Sequence, residues 1–122
     1  MKTIQIDNRP TFQGDLMIRR IGAVPTDTTE DTSAEAKIVA HSETGHHHML
    51  DGDVRMFRRS GDSMVAYAEC RSAVQLKHLR DFDTHETLEF SAGAGAGFAE
   101  SFIIECRRQR EHTPEGWRRV AD

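Results

Sequence analysis

Residues 38–50 read Ile-Val-Ala-His-Ser-Glu-Thr-Gly-His-His-His-Met-Leu. Ile38 to Ala40 is a short apolar strand. Thr44-Gly45 interrupts it, because glycine is the residue a tight turn tolerates best. His46 to Leu50 reads as the returning strand of a hairpin. Side chains alternate across a strand, so His46, His48 and Leu50 share one face, and His47 and Met49 share the other. With Leu50 directed into a core, His46 and His48 point inward with it.

The same period of two recurs on both sides of this hairpin. Upstream, Ile4 and Ile6 alternate with polar residues, Asn8-Arg9-Pro10 breaks the run, and Gln13-Gly14-Asp15 opens a strand from Leu16 to Ile21. Downstream, Asp51-Gly52 is a turn signal before Val54 to Arg58. Met64 to Cys70 places Met64, Ala66, Ala68 and Cys70 on one face. Val74, Leu76 and His78 share a side, which gives His78 an inward direction. His85 to Phe90 restores alternation after an irregular connection, and Phe98 to Arg108 aligns Phe102, Ile104 and Cys106. Thr113 can cap a helical turn that has Pro114 at its first position and is anchored by Trp117 and Val120.

Short strands separated by turns every 8–12 residues, with no long amphipathic helix, predict an all-β domain spanning residues 1–122. The expected form is a small barrel or sandwich of about seven to nine antiparallel strands, with a cupin-like barrel as one version. Residues 26–36 and 92–97 read as surface loops. The AGAGAG run at 92–97 lacks the spacing and the following helix of a phosphate-binding loop.

Composition limits the partners. A net charge of −4 and a pI near 6.0 give no overall basic footprint for nucleic acid. Arg107, Arg108, Arg110, Arg118 and Arg119 form only a local basic run, with no aromatic platform beside it. No run of 18 apolar residues suggests a membrane span. Met1 to Gln5 carries no signal-peptide apolar region, so the expected location is the cytoplasm at synthesis. Cys70 and Cys106 sit in apolar strands and read as buried thiols, able to pair only if their strands are neighbours.

The chemistry concentrates in the histidines. Four of seven lie in residues 38–50. Two imidazoles spaced i, i+2 on a strand can hold one divalent transition metal (Zn, Fe or Ni). Glu43, His78 and His85 are the candidates to complete a site begun by His46 and His48. The competing reading makes them hydrogen-bonded core histidines, with Glu43 and Glu86 as acceptors.

Gln13-Gly14-Asp15-Leu16-Met17-Ile18, then Glu43-Thr44-Gly45-His46-x-His48, then Gln109-Arg110-Glu111-His112-Thr113-Pro114 and a final Arg119-Val120-Ala121-Asp122 occur in this order. The set resembles a family of small bacterial and phage proteins whose members commonly read QGDVLL, GEVTGHAH and QREYTP. Two departures stand out. His78 and His85 are separated where the family carries an HEEH-like segment, and His112 replaces a tyrosine. The resemblance implies a phage or prophage setting and no particular reaction. The leading expectation is a non-enzymatic structural or accessory β-domain that binds protein subunits, its own or a virion's, and becomes incorporated in the particle. The alternative is a small cupin-like metal-binding protein or metalloenzyme built on the HxH pair.

Overall fold

The computed structural model describes residues 2–41, 47–62, 64–79, 87–92, 101–108, 110–113 and 116–119. The last two stretches, and His41, His78 and Leu79, are described through their backbone alone. Among the described residues thirteen strands form: β1 (Lys2–Gln5), β2 (Thr11–Gln13), β3 (Leu16–Ile21), β4 (Thr29–Asp31), β5 (Ile38–His41), β6 (His47–Asp51), β7 (Val54–Arg58), β8 (Val65–Cys70), β9 (Val74–Leu79), β10 (Leu88–Ser91), β11 (Phe102–Arg108), β12 (Arg110–Thr113) and β13 (Gly116–Arg119).

Eleven of them make two sheets, ordered β1-β10-β9-β6-β5 and β2-β3-β11-β8-β7-β4, and β12 and β13 pair with each other. Both large sheets end in open edges, so the fold is a sandwich and the cupin-like barrel is not formed. Among the described strands all pairings are antiparallel except β1 with β10, which is parallel. The strand count exceeds the expected seven to nine. β2 and β4 have three residues each, too few for alternation to register in sequence.

The C-terminal helical turn is also corrected. Residues 110–113 and 116–119 form an antiparallel hairpin with Thr113 opposite Gly116. A lone helical turn fixes many dihedrals for few hydrogen bonds, whereas the hairpin pairs four residues on each side.

The interior follows the predicted parity. Leu50, Val74, Leu76, Leu88 and Phe90 come from the first sheet, and Leu16, Ile18, Met56, Phe102 and Ile104 from the second. Ala66, Ala68 and Cys70 put small side chains on β8, so bulky residues of the facing sheet fit without strain. Cys70 and Cys106 are free thiols on neighbouring strands. Cys70 stands opposite Phe102 and Cys106 opposite Ala66, an offset that keeps them from pairing. Burial pushes the Cys70 thiol up to about 12 and raises that of Cys106 as well, so neither is a thiolate at neutral pH.

Two of the chain's crossings between the sheets lie against each other. Asp51-Gly52-Asp53 joins β6 to β7, and Arg71 to Ala73 joins β8 to β9. The Arg71 amide donates to the Asp53 carbonyl at 3.0 Å. Gly52 has φ 153°, and a Cβ there would lie 3.2 Å from Cγ2 of Val74.

Residues 26–36 stay mostly exposed, as expected of a surface loop, but contain β4 and are held by the chain's own arginines. Arg55 pairs with Glu30, Arg58 with Asp31 and Arg59 with Asp27. Arg58 also donates to the carbonyls of Ala36 and Ile38. Charged residues on an edge strand discourage a foreign strand from adding to it.

Two outcomes follow. Gly52→Ala should lose about 1–3 kcal/mol in urea unfolding, while Gly22→Ala, with open space around its Cβ, should stay within about 0.5 kcal/mol of the parent. The carboxyls of Asp27, Glu30 and Asp31 are held below their ordinary range, chiefly by hydrogen bonds from Arg59, Arg55 and Ser33 respectively. Their stabilisation is therefore full above the ordinary carboxylate range of about 4 and is lost as pH falls through the lower folded values. Proteolysis within residues 26–36 should accelerate below about pH 4 before the core unfolds.

Candidate functional site

His48 lies on β6, two residues before Leu50, and shares its inward parity. It is 1% exposed, an imidazole set in the apolar interior. A buried polar ring requires partners. The partner found is Gln13, at the end of edge strand β2 in the opposite sheet, whose Oε1 lies 2.8 Å from His48 Nδ1. The amide of Gln13 is itself fixed, since its Nε2 donates to the Leu76 carbonyl at 3.0 Å. A carbonyl only accepts, so the amide oxygen must face the imidazole and Nδ1 must donate to it. Neutral His48 therefore carries its proton on Nδ1.

Two residues beyond Gln13, after the turn made at Gly14 with φ 59°, Asp15 brings Oδ1 to 3.9 Å from His48 Nε2. Its Oδ2 accepts from Arg108 Nε at 3.3 Å, with both side chains almost wholly buried. Gln13, Asp15, His48 and Arg108 thus form one buried polar cluster drawn from β2, the β2–β3 turn, β6 and the end of β11. The cost of desolvating an ion pair makes such a cluster weak as a source of stability. Its concentration at one place in an apolar core marks a candidate site.

Of the histidines expected to converge, His48 is placed inward as its parity required. His78 stands directly opposite His48 in the β6–β9 register. Glu43, His46 and His85 lie outside the described residues, as does Glu86. Among the described residues, Gln13 is the acceptor seen at His48. Among the described residues, no three His, Cys, Asp or Glu side chains come together as a metal-binding group.

Sequence reading missed Gln13, Asp15 and Arg108 as site residues. A signal existed for Arg108, which shares the parity of Phe102, Ile104 and Cys106 and so had to face the core. For Gln13 and Asp15 the signal was their place in the first motif, ahead of an apolar strand.

The architecture is an open two-sheet β-sandwich with a buried Gln-Asp-His-Arg cluster bridging its sheets. A family model of a domain of unknown function, DUF8820, matches residues 12–94, and the chain belongs to that family. The matched stretch contains Gln13, Asp15, His48 and His78 and ends before Arg108 and the C-terminal hairpin. No curated protein and no solved structure matches the chain.

Removing one member of the buried pair should cost far more than removing both. Asp15→Ala leaves the Arg108 cation buried without its carboxylate and should destabilise by about 3–5 kcal/mol. Asp15→Leu combined with Arg108→Met should cost clearly less than the sum of the single changes in urea unfolding.

Proposed function

We propose that this chain is a non-enzymatic structural or accessory β-domain of phage type that docks on protein subunits, its own copies or those of a larger particle. The observation that carries this reading is the C-terminal hairpin. β12 and β13 pair with each other in a sheet of their own. An isolated two-stranded hairpin is marginal in water, so a ribbon of this kind gains from lying against another surface.

Its charge favours an acidic protein face. Residues 107–119 contain five arginines and two glutamates, a net charge of +3, in a chain whose total is −4. The remainder therefore carries −7. In the hairpin register Arg110 stands opposite Arg119, so two of these arginines share one cross-strand position. The buried, protonated thiols agree with a binding role, since the chain's strongest potential nucleophiles are withheld. The phage setting rests on the resemblance of the three motifs.

Sedimentation velocity at micromolar concentration, alone and with lysates of particles from its own host, tests this. Association that weakens with salt and is lost in Arg110→Glu/Arg119→Glu is the expected result. A strictly monomeric protein absent from every particle would overturn it.

A further inference from the structure

We propose that the cavity at the Phe102 end of β11 binds a small organic monoanion, a carboxylate on an apolar body, through Arg20 and Arg71. These two arginines are set apart by their lack of an acidic partner. Among the arginines whose side chains are described, all the others form an ion pair with an aspartate or glutamate. Arg20 and Arg71 line one cavity of about 470 Å³, a size that suits a small molecule. It lies at the opposite end of β11 from Arg108 and the buried cluster.

The fold brings the pair together from two strand ends. Arg20 shares the inward parity of Leu16 and Ile18 but stands near the end of β3, where it is only half-buried. Its Nη1 donates to the Ala92 carbonyl at 3.0 Å, one residue past β10 in the other sheet. That bond anchors the guanidinium between the ends of the two sheets and leaves its other N–H groups for an acceptor in the cavity. Arg71 follows the last residue of β8, in the corner held by the bond from its amide to the Asp53 carbonyl. Its side chain is exposed at the mouth of the same cavity.

The lining defines the ligand. Two cations face one carboxylate, that of Glu69, which Arg55 already engages at 3.4 Å. The cavity thus carries a net charge of +1 in a chain whose total is −4. One negative charge balances it, and a carboxylate matches the planar fork of a guanidinium. Ser101 adds a hydroxyl donor, and Ile21, Phe102 and Ile103 add apolar surface. A hydrocarbon body would cover that surface, whereas an inorganic anion would leave it wet. The Cys70 thiol in the same wall is held protonated by its burial, so the chemistry of the cavity is binding.

The test uses the full chain and phenylacetate, with neutral phenylacetamide and inorganic phosphate as comparisons. In an NMR titration of the unaltered protein, phenylacetate should give saturable shifts at the amides of Arg20, Gly22, Arg71 and Phe102. Phenylacetamide should bind at least about 10-fold more weakly, because it lacks the charge that strengthens the arginine hydrogen bonds. Arg20→Gln and Arg71→Gln should each weaken phenylacetate at least about 10-fold. Lys37→Gln, which removes a cation elsewhere, should bind as the parent does. Gly22→Leu, where a side chain meets open space, should occupy the cavity and weaken binding with both arginines intact. Circular dichroism confirms that each variant is folded, and the titration of the parent needs no variant. Unshifted amides at millimolar phenylacetate would overturn the site, as would full affinity in Gly22→Leu. Equal affinity for phenylacetamide, or unchanged affinity in both glutamine variants, would overturn the role of the arginines. Tighter binding of inorganic phosphate than of phenylacetate would overturn the assignment to an apolar monoanion.

Discussion

A single amide crosses the sandwich. Gln13 leaves the edge of the six-stranded sheet and reaches both the His48 ring and the β9 backbone of the five-stranded one. Most of the adhesion between the sheets is non-directional, arising from apolar area removed from water. Such adhesion tolerates sliding. A hydrogen bond to a buried ring and another to a fixed carbonyl do not, because a displaced donor or acceptor in the core loses its partner. The polar cluster therefore pins the alignment of two surfaces that the apolar core only holds together.

Period-two alternation revealed most of the strands because each inward face is filled by Leu, Ile, Val, Phe or small residues. It worked for Leu50 and therefore for His48, whose burial follows from sharing that face. It failed where strands were too short to alternate, at Thr11–Gln13 and Thr29–Asp31, and where a capping pattern at Thr113-Pro114 outweighed Gly116 and the extended run Trp117 to Arg119. The acidic stretch 26–36 has no hydrophobic period at all. Its strand exists because Arg55, Arg58 and Arg59 on or beside β7 meet its carboxylates, a pairing no local pattern reports.

The cluster was half legible for a related reason. Parity states which way a side chain points, never what it meets there. Arg108 had to point inward, but its meeting with Asp15 depends on the β2–β3 turn lying beside the far end of β11. His48 had to be buried, but that Gln13 would be its acceptor depends on how two sheets stack. The opposition of His48 and His78 is likewise a property of register, which alternation leaves undetermined by any even number of residues.

The parallel pairing of β1 with β10 has a consequence in time. Thr3 meets Glu89, 86 residues later in the chain. At a ribosomal rate of about 5–20 residues per second, β1 waits roughly 4–17 s for its partner to be synthesised. During that interval Ile4 and Ile6 have no sheet to join, and β10, when it emerges, offers one open edge to whichever strand arrives. β1 thus closes the five-stranded sheet late, although it is synthesised well before β10.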